Sequence, residues 1–352
     1  MSRLLLTGAS GYIAGALLND VIQLPDLIVF ALVRTPQQAE KVTSLGVTPL
    51  QFDMSDGHAV EEVLVKYSIT VVIQSADAFN FAPGKAFING LKAVKNKLGK
   101  EVHYIHTSGA KLFSSHVGIH QLLNDADDDV YSIEKSHESP HEVLQTAVNT
   151  NISINDLADS LDVRSYILVP PMVYGPGTGF GNKISIQYVA IIRMGRDLGE
   201  VFQVADDTST WPLVHLLDLT SLYMTLLKAI ISSSQDLPPY GKVHGYYFAE
   251  NGTFSWKLLS QAISDQLASR GLIKATYPPS IRRPTEEDLV NIGRALGDPP
   301  SFVPVSVGGQ CALRGDNGRR LGWSPKFGVE HLMSTVQEEV EFVLAEDQPR
   351  RP

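Results

Sequence analysis

The sequence predicts an α/β fold in which a doubly wound parallel sheet is followed by a smaller C-terminal α/β lobe. Short apolar and β-branched runs alternate with segments whose apolar residues recur at helical spacing, a pattern typical of parallel β-α-β units. A glycine-rich turn separates the first strand from the first helix. The Gly/Pro-rich segment at 170–183, PPMVYGPGTGFGNK, then interrupts the alternation and indicates the junction with the lobe.

The first half of the chain alternates predicted strands with predicted helices. The strands are expected at 3–7, 27–34, 70–76, 101–108 and 164–171, where apolar and β-branched residues are concentrated. The helical stripes are formed by Ile13, Leu17 and Val21, by Val60, Val63, Leu64 and Tyr67, and by Phe87, Leu91, Val94 and Leu98. Right-handed crossovers are expected to join these strands into one sheet.

The second half adds a helix around Leu219 and Leu226, a strand at 244–250 and an irregular Pro/Gly-rich stretch at 277–310. A final amphipathic helix is predicted from the spacing of Val329, Leu332, Met333, Val336, Val340 and Val343. These boundaries predict a first domain made of residues 1–175 and about 210–250. The remaining residues, 176–209 and 251–352, would form the lobe.

Composition restricts the class of partner. The 352 residues are 43% hydrophobic and carry a formal net charge of −9, which disfavours a nucleic-acid or anionic-membrane surface. Cys311 is the single cysteine, so the chain cannot form an internal disulfide, and a cytoplasmic protein is expected. Its apolar runs are shorter than a membrane span requires, and Thr7, Gly8, Ser10 and Gly11 interrupt the one run that resembles a secretory leader. A small-molecule partner fits this composition better. The protein is expected to be a monomer or a homodimer.

The glycine-rich turn at 8–15 is the first candidate binding feature. Gly8, Gly11 and Gly15 fall between the first strand and the first helix, where glycine permits a tight turn and close approach of backbone to a phosphate. The free N–H groups and the dipole of the following helix favour an anion at its N-terminus. The sequence therefore predicts a dinucleotide pyrophosphate at this turn.

This turn resembles the TGxxGxxG motif of the short-chain dehydrogenase/reductase superfamily, with Ala14 at the third glycine position and Gly15 after it. Three later segments resemble its extended, NAD-dependent epimerase/dehydratase-like members: YGPG at 174–177, VHLLDLT at 214–220 and LGWSP at 321–325. The resemblance implies a Rossmann-like sheet that binds the cofactor and a C-terminal lobe that binds the substrate.

NADP is the expected cofactor, with NAD as the second choice. In NAD-binding sheets an acidic residue at the end of the second strand binds the ribose 2′-hydroxyl. Arg34 occupies this position here, and an arginine suits the 2′-phosphate of NADP. Asp53, in the segment QFDMSD at 51–56, matches the family's adenine-contacting aspartate, although it could simply form a turn. The resemblance implies a cofactor-binding set of Thr7, Gly8, Ser10, Gly11, Tyr12, Ile13, Arg34, Asp53, Met54, Ser75, Ala76, Lys135, Pro170 and Val173.

Three residues are predicted to be catalytic. Ser108 follows a strand, and Tyr131 and Lys135 are four residues apart, which places both on one helix face about 5–6 Å apart at Cβ. A tyrosine could protonate the alkoxide formed by hydride transfer, and a neighbouring ammonium would lower the pKa of that tyrosine. Ser108 would orient the carbonyl oxygen. The order of these residues after a glycine turn resembles that of the extended family.

The predicted function is that of an oxidoreductase which transfers a hydride between NADPH and an aldehyde or ketone. Met172, Tyr174, Phe180 and Ile184 are the predicted substrate-binding residues and favour an apolar molecule. A nucleotide-sugar epimerase or dehydratase is one alternative, and it would need arginines to hold a diphosphate. The candidates are Arg282, Arg283, Arg314, Arg319 and Arg320. A sensor or scaffold that binds NADP without turnover is the other alternative.

The motif HESPH at 137–141 matches the H-E-x-x-H pattern of zinc proteases. That chemistry requires both histidines on one turn of an unbroken helix, and Pro140 disfavours helical geometry at Ser139. No metal site is therefore predicted.

Overall fold

The computed structural model describes residues 2–232, 237–274 and 281–347. Seven parallel strands form its large sheet: β1 (Ser2–Leu6), β2 (Leu27–Leu32), β3 (Thr48–Leu50), β4 (Val71–Gln74), β5 (His103–Thr107), β7 (Arg164–Val169) and β10 (Tyr246–Phe248). Their order is β10-β7-β5-β4-β1-β2-β3. The strand order reverses between β1 and β4, and such a switch point is where open α/β sheets bind ligands. The structure thus confirms the doubly wound parallel sheet.

Two smaller sheets lie beside the large one. Strands β8 (Met172–Tyr174) and β9 (Thr210–His215) are parallel, and β11 (Thr253–Ser255) pairs with β9 in the antiparallel direction. Strand β6 (Leu123–Asn124) pairs with β12 (Leu313–Arg314). Residues 210–250 thus contribute to two sheets, since β9 joins the three-stranded sheet and β10 joins the large one. The division into two domains stays a prediction.

Helices cover both faces of the large sheet. One face carries α3 (Gly57–Tyr67), α4 (Phe81–Leu98) and α6 (Glu142–Ser160), while α1 (Tyr12–Val21) packs with α8 (Leu216–Ile231) on the other. The remaining helices of the first 250 residues are α2 (Pro36–Ser44), α5 (Val130–Ser136), α7 (Gln187–Leu198) and α9 (Gly241–His244). Short 3-10 turns follow β5 at Ala110–Phe113 and Ser115–Val117.

The C-terminal part is more regular than predicted. Its helices are α10 (Trp256–Ser269), α11 (Glu286–Leu296), α12 (Val303–Val307), α13 (Asp316–Arg320), α14 (Val329–Ser334) and α15 (Val336–Glu346), with a 3-10 turn at Pro300–Phe302. Helix α11 lies within the stretch predicted to be irregular, because Thr285 and Asp288 form a reciprocal capping box that starts it. Residues 277–280 of that stretch lie outside the described residues. The predicted final helix is two helices separated at Thr335.

Among the residues that the structure describes, no helix is both long enough and apolar enough to cross a bilayer.

Candidate active site

The glycine turn has the geometry that a pyrophosphate cradle requires. Gly8 has φ +74°, a left-handed conformation that favours glycine, and a Cβ there would lie 3.0 Å from the Ser75 carbonyl oxygen. The Gly11 N–H donates to the Gly8 carbonyl at 2.7 Å, which closes the turn immediately before α1. Because the first N–H groups of α1 lack intrahelical acceptors, the turn presents donors to an anion. These residues fit the phosphates of a nicotinamide dinucleotide.

A second glycine-rich segment, 175–184, packs directly against this turn. The Asn182 N–H donates to the Ser10 carbonyl at 2.9 Å. A Cβ on Gly179 would lie 2.7 Å from Gly15 Cα, so glycine at both positions permits this approach. The sequence predicted a domain junction at this segment but not its contact with the turn. The glycines that occur in both loops were the signal from which a close approach could have been predicted.

The end of β2 is joined to the glycine turn through Gln38. Its Oε1 accepts from the Arg34 N–H at 2.8 Å, and its Nε2 donates to Ser10 Oγ at 3.1 Å. The Arg34 side chain is exposed and makes no ion pair with the described residues. Gln38 is a residue of this region that the sequence analysis did not predict.

A chain of buried hydroxyl groups holds the strand ends beneath the turn. Thr7 Oγ1 accepts from the Ser75 N–H at 3.1 Å, and Ser75 Oγ shares a 2.5 Å hydrogen bond with Thr107 Oγ1. Thr107 Oγ1 shares a further hydrogen bond of 2.6 Å with the Tyr223 hydroxyl of α8. The chain fixes the carboxyl ends of β1, β4 and β5 relative to α8.

The other predicted cofactor residues differ in their surroundings. Asp53 accepts from the Ser55 N–H at 2.9 Å and so forms a turn, the alternative weighed for it. Met54 is half-buried and Ala76 is exposed. The Tyr12 hydroxyl donates to the Gly175 carbonyl at 2.5 Å, and burial raises the pKa of Tyr12.

A cavity of about 290 Å³ opens beside the start of α1, at the carboxyl ends of β4, β5 and β7. Its lining is mainly apolar and consists of Tyr12, Ile13, Ala78, Phe79, Ser108, Gly109, Ala110, Lys111, Leu112, Leu144, Ala147, Pro170, Pro171, Val173, Ile186, Gln187 and Trp211. Four predicted cofactor-binding residues, namely Tyr12, Ile13, Pro170 and Val173, therefore share this cavity with Ser108, which is predicted to be catalytic.

Ser108 is held so that its own hydrogen is free. Its Oγ accepts a hydrogen bond from Asn151 Nδ2 at 2.8 Å, and Asn151 lies fully buried on α6. Because Oγ is the acceptor in this bond, the hydroxyl hydrogen can be donated to an oxygen in the cavity. This geometry suits a residue that orients a carbonyl oxygen.

Behind Asn151 lies a buried carboxyl group, Glu134 of α5. Glu134 accepts from Asn151 Nδ2 at 2.7 Å and from the Tyr246 hydroxyl at 2.8 Å. Burial raises the pKa of Glu134 to about 8, so the carboxyl group is largely protonated at neutral pH. The sequence analysis missed Glu134 and Asn151, because burial of single polar residues cannot be read from spacing.

Tyr131 and Lys135 lie together but away from the cavity. The Lys135 ammonium donates to the Tyr131 hydroxyl at 3.0 Å, which confirms that the two side chains share one face of α5. The Tyr131 hydroxyl itself donates to Asp156 Oδ1 at 2.7 Å, and neither residue belongs to the cavity lining. Asp156 is nine residues beyond Ala147 on α6, a distance of roughly 14 Å along the helix.

The structure therefore does not bring the three predicted catalytic residues together. Ser108 faces the cavity, whereas α6 contributes Leu144 and Ala147, and not Tyr131 or Lys135, to the cavity lining. Lys135 is exposed and lies with Tyr131, apart from the predicted cofactor residues at the glycine turn. The catalytic roles of Tyr131 and Lys135 stay predictions.

The predicted substrate residues are also divided. Met172 and Tyr174 are buried in the core, and the Tyr174 hydroxyl shares a 3.0 Å hydrogen bond with His331 Nδ1. Because side chains alternate along β8, it is Val173 between them that lines the cavity. Phe180 and Ile184 are half-buried against the core and do not belong to the cavity lining.

The five candidate arginines are all paired with carboxylates. The pairs are Arg282 with Asp288 and Glu200, Arg283 with Asp206 and Asp207, Arg314 with Asp316, Arg319 with Glu250, and Arg320 with Asp127. None of these arginines lines the cavity. The arrangement gives no support to a diphosphate clamp.

The HESPH segment is not helical. Helix α5 ends at Ser136 and α6 begins at Glu142, so His137 and His141 do not share a helical turn. Within residues 2–232, 237–274 and 281–347, no group of three or more His, Cys, Asp or Glu side chains is arranged to hold a metal.

Comparison with known proteins agrees with this fold. The model of the NAD dependent epimerase/dehydratase family matches residues 4–236. A curated relative, the oxidase ucsJ of an Acremonium species, is 26% identical over 354 residues, covering 96% of this chain and 98% of its own.

Solved structures share the fold at low identity. UDP-glucose 4-epimerase of Thermotoga maritima, solved with UDP-glucose, has a TM-score of 0.62 and 14% identity, with coverage of 98% of this chain and 100% of its own. Vestitone reductase of alfalfa has a TM-score of 0.61 and 12% identity, with 99% of each chain covered. dTDP-glucose 4,6-dehydratase of Bacillus anthracis, solved with NAD, has a TM-score of 0.63 and 10% identity, with coverage of 98% and 97%.

Proposed function

Because the chain belongs to the NAD dependent epimerase/dehydratase family, we propose that it is an NADP-dependent oxidoreductase acting on a carbonyl group of a small organic substrate. The observation that carries this proposal is the position of Ser108. Its hydroxyl hydrogen is free, because Asn151 donates to Oγ at 2.8 Å, and it faces a mainly apolar cavity that adjoins the glycine turn.

The chain's own residues would bind and orient the reactants. A bound nicotinamide dinucleotide supplies the hydride that is added to the carbonyl carbon. The turn from Gly8 to Ile13 would hold the pyrophosphate, and Pro170 and Val173 would border the nicotinamide. Ser108 would donate a hydrogen bond to the carbonyl oxygen and stabilise the negative charge that develops there, and water entering the open cavity would supply the proton that converts the alkoxide to the alcohol.

The preference for NADP rests on Arg34. The exposed Arg34 guanidinium follows β2 and is unpaired among the described residues, while the Arg34 backbone N–H is joined to the phosphate turn through Gln38. An unpaired guanidinium is suited to a 2′-phosphate, and no acidic residue at this strand end competes for the ribose.

The cavity favours an apolar carbonyl compound over a nucleotide sugar. UDP-glucose was bound to the epimerase compared above, and such a ligand carries a diphosphate that requires cationic partners. In this chain the candidate arginines are paired with carboxylates and lie outside the cavity. The lining consists largely of alanine, leucine, proline and aromatic side chains.

Ser108→Ala tests the proposal. We expect NADPH oxidation with a panel of aryl and alkyl aldehydes and ketones to fall about 10²–10³-fold in kcat, since one donor to the developing alkoxide is lost. NADPH affinity should stay unchanged, and Ser44→Ala on the exposed end of α2 serves as the control. Wild-type turnover that persists in Ser108→Ala would refute the role of Ser108.

Tyr131→Phe, assayed in the same way, tests whether Tyr131 donates the proton to the alkoxide. Because the Tyr131 hydroxyl donates to Asp156, we expect less than a threefold change in kcat. A loss as large as that of Ser108→Ala would instead establish Tyr131 as the proton donor that the sequence predicts.

A further inference from the structure

A second cavity, of about 450 Å³, lies at the opposite edge of the large sheet from the candidate active site. The amino ends of the neighbouring strands β1, β4, β5 and β7 contribute Arg3, Val71, His103 and Arg164 to its lining. The strand register places His103 between Arg164 and Val71. Because His103 and Thr107 begin and end β5, roughly 13 Å of strand separates the two edges.

This cavity has an excess of positive charge in a chain whose net charge is −9. The cationic side chains of its lining are Arg3, Lys100 and Arg164, and Glu101 is the one carboxylate among them. That carboxylate is already shared, because its Oε2 lies 3.1 Å from Lys95 Nζ and 3.3 Å from Arg164 Nε. Arg3 and Lys100 make no ion pair with the residues that the structure describes. The cavity therefore attracts an anion.

Uncharged donors line the same cavity. Ser2, Ser68 and Thr70 belong to the lining, and none of their hydroxyl groups makes a hydrogen bond within the described part of the chain. A serine or threonine hydroxyl can turn its hydrogen toward an anionic oxygen.

His103 is the most buried of the polar side chains in the lining, with only 5% of its surface exposed. Its Nδ1 shares a 3.1 Å hydrogen bond with the Tyr166 hydroxyl, which makes no other hydrogen bond among the described residues. Burial raises the pKa of Tyr166, so the hydroxyl keeps its hydrogen and donates it to Nδ1. Burial also lowers the pKa of His103 to about 3, with smaller contributions from Arg164 and Lys95.

The free hydrogen of His103 is presented to the cavity. A neutral imidazole whose Nδ1 accepts a hydrogen bond carries its hydrogen on Nε2. This Nε2 has no partner among the described residues but retains accessible surface, unlike the fully buried ring nitrogens of His106. A donor on a side chain so deeply buried normally has an acceptor, so the arrangement indicates a ligand.

We propose that this cavity is a second binding site, which takes the phosphate group of a small phosphomonoester. The three cations would balance its negative charge, and the His103 Nε2–H and the hydroxyl groups would donate to its oxygens. The organic part would contact the apolar remainder of the lining, Val71, Leu98 and Ile230. The volume is within the range of small-molecule sites. This inference does not rest on the proposed function, because the two cavities share no residue.

Isothermal titration calorimetry with phenyl phosphate tests the site. Saturating NADP⁺ is present, so that the glycine turn does not compete for the phosphate. We expect phenyl phosphate to bind the wild type, phenol to show no binding, and inorganic phosphate to bind more weakly because it lacks the apolar contacts. Lys100→Met should weaken phenyl phosphate binding about tenfold, since one charged hydrogen bond is lost. Arg3→Gln should have a similar effect.

Lys97→Met is the matched control. This lysine is exposed on α4, three residues before Lys100, and is outside the cavity lining, so its variant should keep the wild-type affinity. Arg3 donates to the Tyr67 carbonyl, and if Arg3→Gln fails to fold, the exposed Lys100 still provides the comparison. Absence of phenyl phosphate binding at millimolar concentration, or equal binding by the wild type and Lys100→Met, would overturn the inference. Equal affinities for phenyl phosphate and inorganic phosphate would overturn the assignment to a phosphomonoester.

A nuclear magnetic resonance experiment locates the bound phosphate. The 10 histidines are labelled with ¹³C at Cε1, and the resonance that is missing in His103→Gln is assigned to His103. We expect this resonance to shift when phenyl phosphate is added to the wild type. Binding that leaves it unmoved would place the phosphate elsewhere and refute the site. If His103→Gln fails to fold, the calorimetric comparison of Lys100→Met with Lys97→Met decides.

Discussion

The buried carboxyl group of Glu134 makes the stability of the folded chain depend on pH. A carboxyl group whose pKa is raised from 4.5 to about 8 in the folded state binds more protons there than in the unfolded chain. Its favourable contribution is therefore complete below the unfolded pKa and is lost as pH rises toward 8. Asp125 and Glu339, whose pKa values burial raises to about 7, add to the same trend.

Glu134→Gln should flatten this dependence. We expect the wild-type Tm to fall between pH 5 and pH 8 by more than that of the variant, because glutamine has the same shape, keeps an oxygen acceptor for one of the two donors, Asn151 or Tyr246, and cannot ionise. Differential scanning calorimetry across this range measures the difference. Glu138→Gln, a change to an exposed neighbour, should follow the wild-type curve. Parallel curves for Glu134→Gln and the wild type would contradict the assignment.

Single residues also show what sequence spacing can and cannot predict. The separation of four residues correctly predicted contact between Tyr131 and Lys135, because helical geometry alone determines it. It could not predict where α5 lies, since a seven-residue helix is positioned by tertiary contacts such as those of Glu134 with Asn151 and Tyr246.

At the scale of elements, the contact between α1 and the 175–184 segment determines the shape of the phosphate turn. Gly15 and Gly179 approach so closely that neither has room for a side chain facing the other. The segment also accepts a 2.8 Å hydrogen bond from Asn19 Nδ2 at the Thr178 carbonyl. The turn is therefore held from both sides before any cofactor binds.

Gly179→Ala should disturb this contact. The added methyl group would lie 2.7 Å from Gly15 Cα, so the backbone must move, and we expect a loss of about 1–3 kcal/mol in the free energy of unfolding. NADPH affinity, measured by fluorescence titration, should fall at the same time. Gly57→Ala at the start of α3, where a Cβ would meet nothing within 4 Å, is the control. Unchanged stability in Gly179→Ala would mean that the segment does not constrain the turn.

Elements were predicted well wherever their apolar periodicity was strong. The strands of the large sheet other than the three-residue β3, and helices α1, α3, α4 and α8, follow from it directly. Helix α11 was missed although Leu289, Ile292 and Leu296 recur at helical spacing, because the prolines and glycines of the 277–310 stretch predicted irregular structure there. Helix α6, with its many polar residues, was likewise hidden, and with it the wall formed by Leu144 and Ala147.

Cofactor binding should stabilise the whole molecule, because the glycine turn, Arg34 and the cavity belong to different parts of the same sheet edge. A ligand at 100 times its Kd adds about 2.7 kcal/mol to the free energy of unfolding. We expect NADPH to raise Tm more than NADH at equal concentration. Arg34→Ala should remove this difference while leaving the effect of NADH, and Arg294→Ala, at another exposed arginine, should retain it. An undiminished difference in Arg34→Ala would exclude Arg34 as the 2′-phosphate ligand.

The placement of β10 has a consequence for synthesis of the chain on the ribosome. This strand pairs with β7, yet it is translated roughly 4 to 16 s later at about 5–20 residues per second. Until then β7 is an unpaired sheet edge, which is a template for aggregation. The Asp125 carboxylate acquires its partners later still, because it accepts hydrogen bonds from the N–H groups of Phe248, Asp316 and Asn317. Nascent chains that stop before Asn317 should therefore depend on chaperones, however complete their nucleotide-binding strands are.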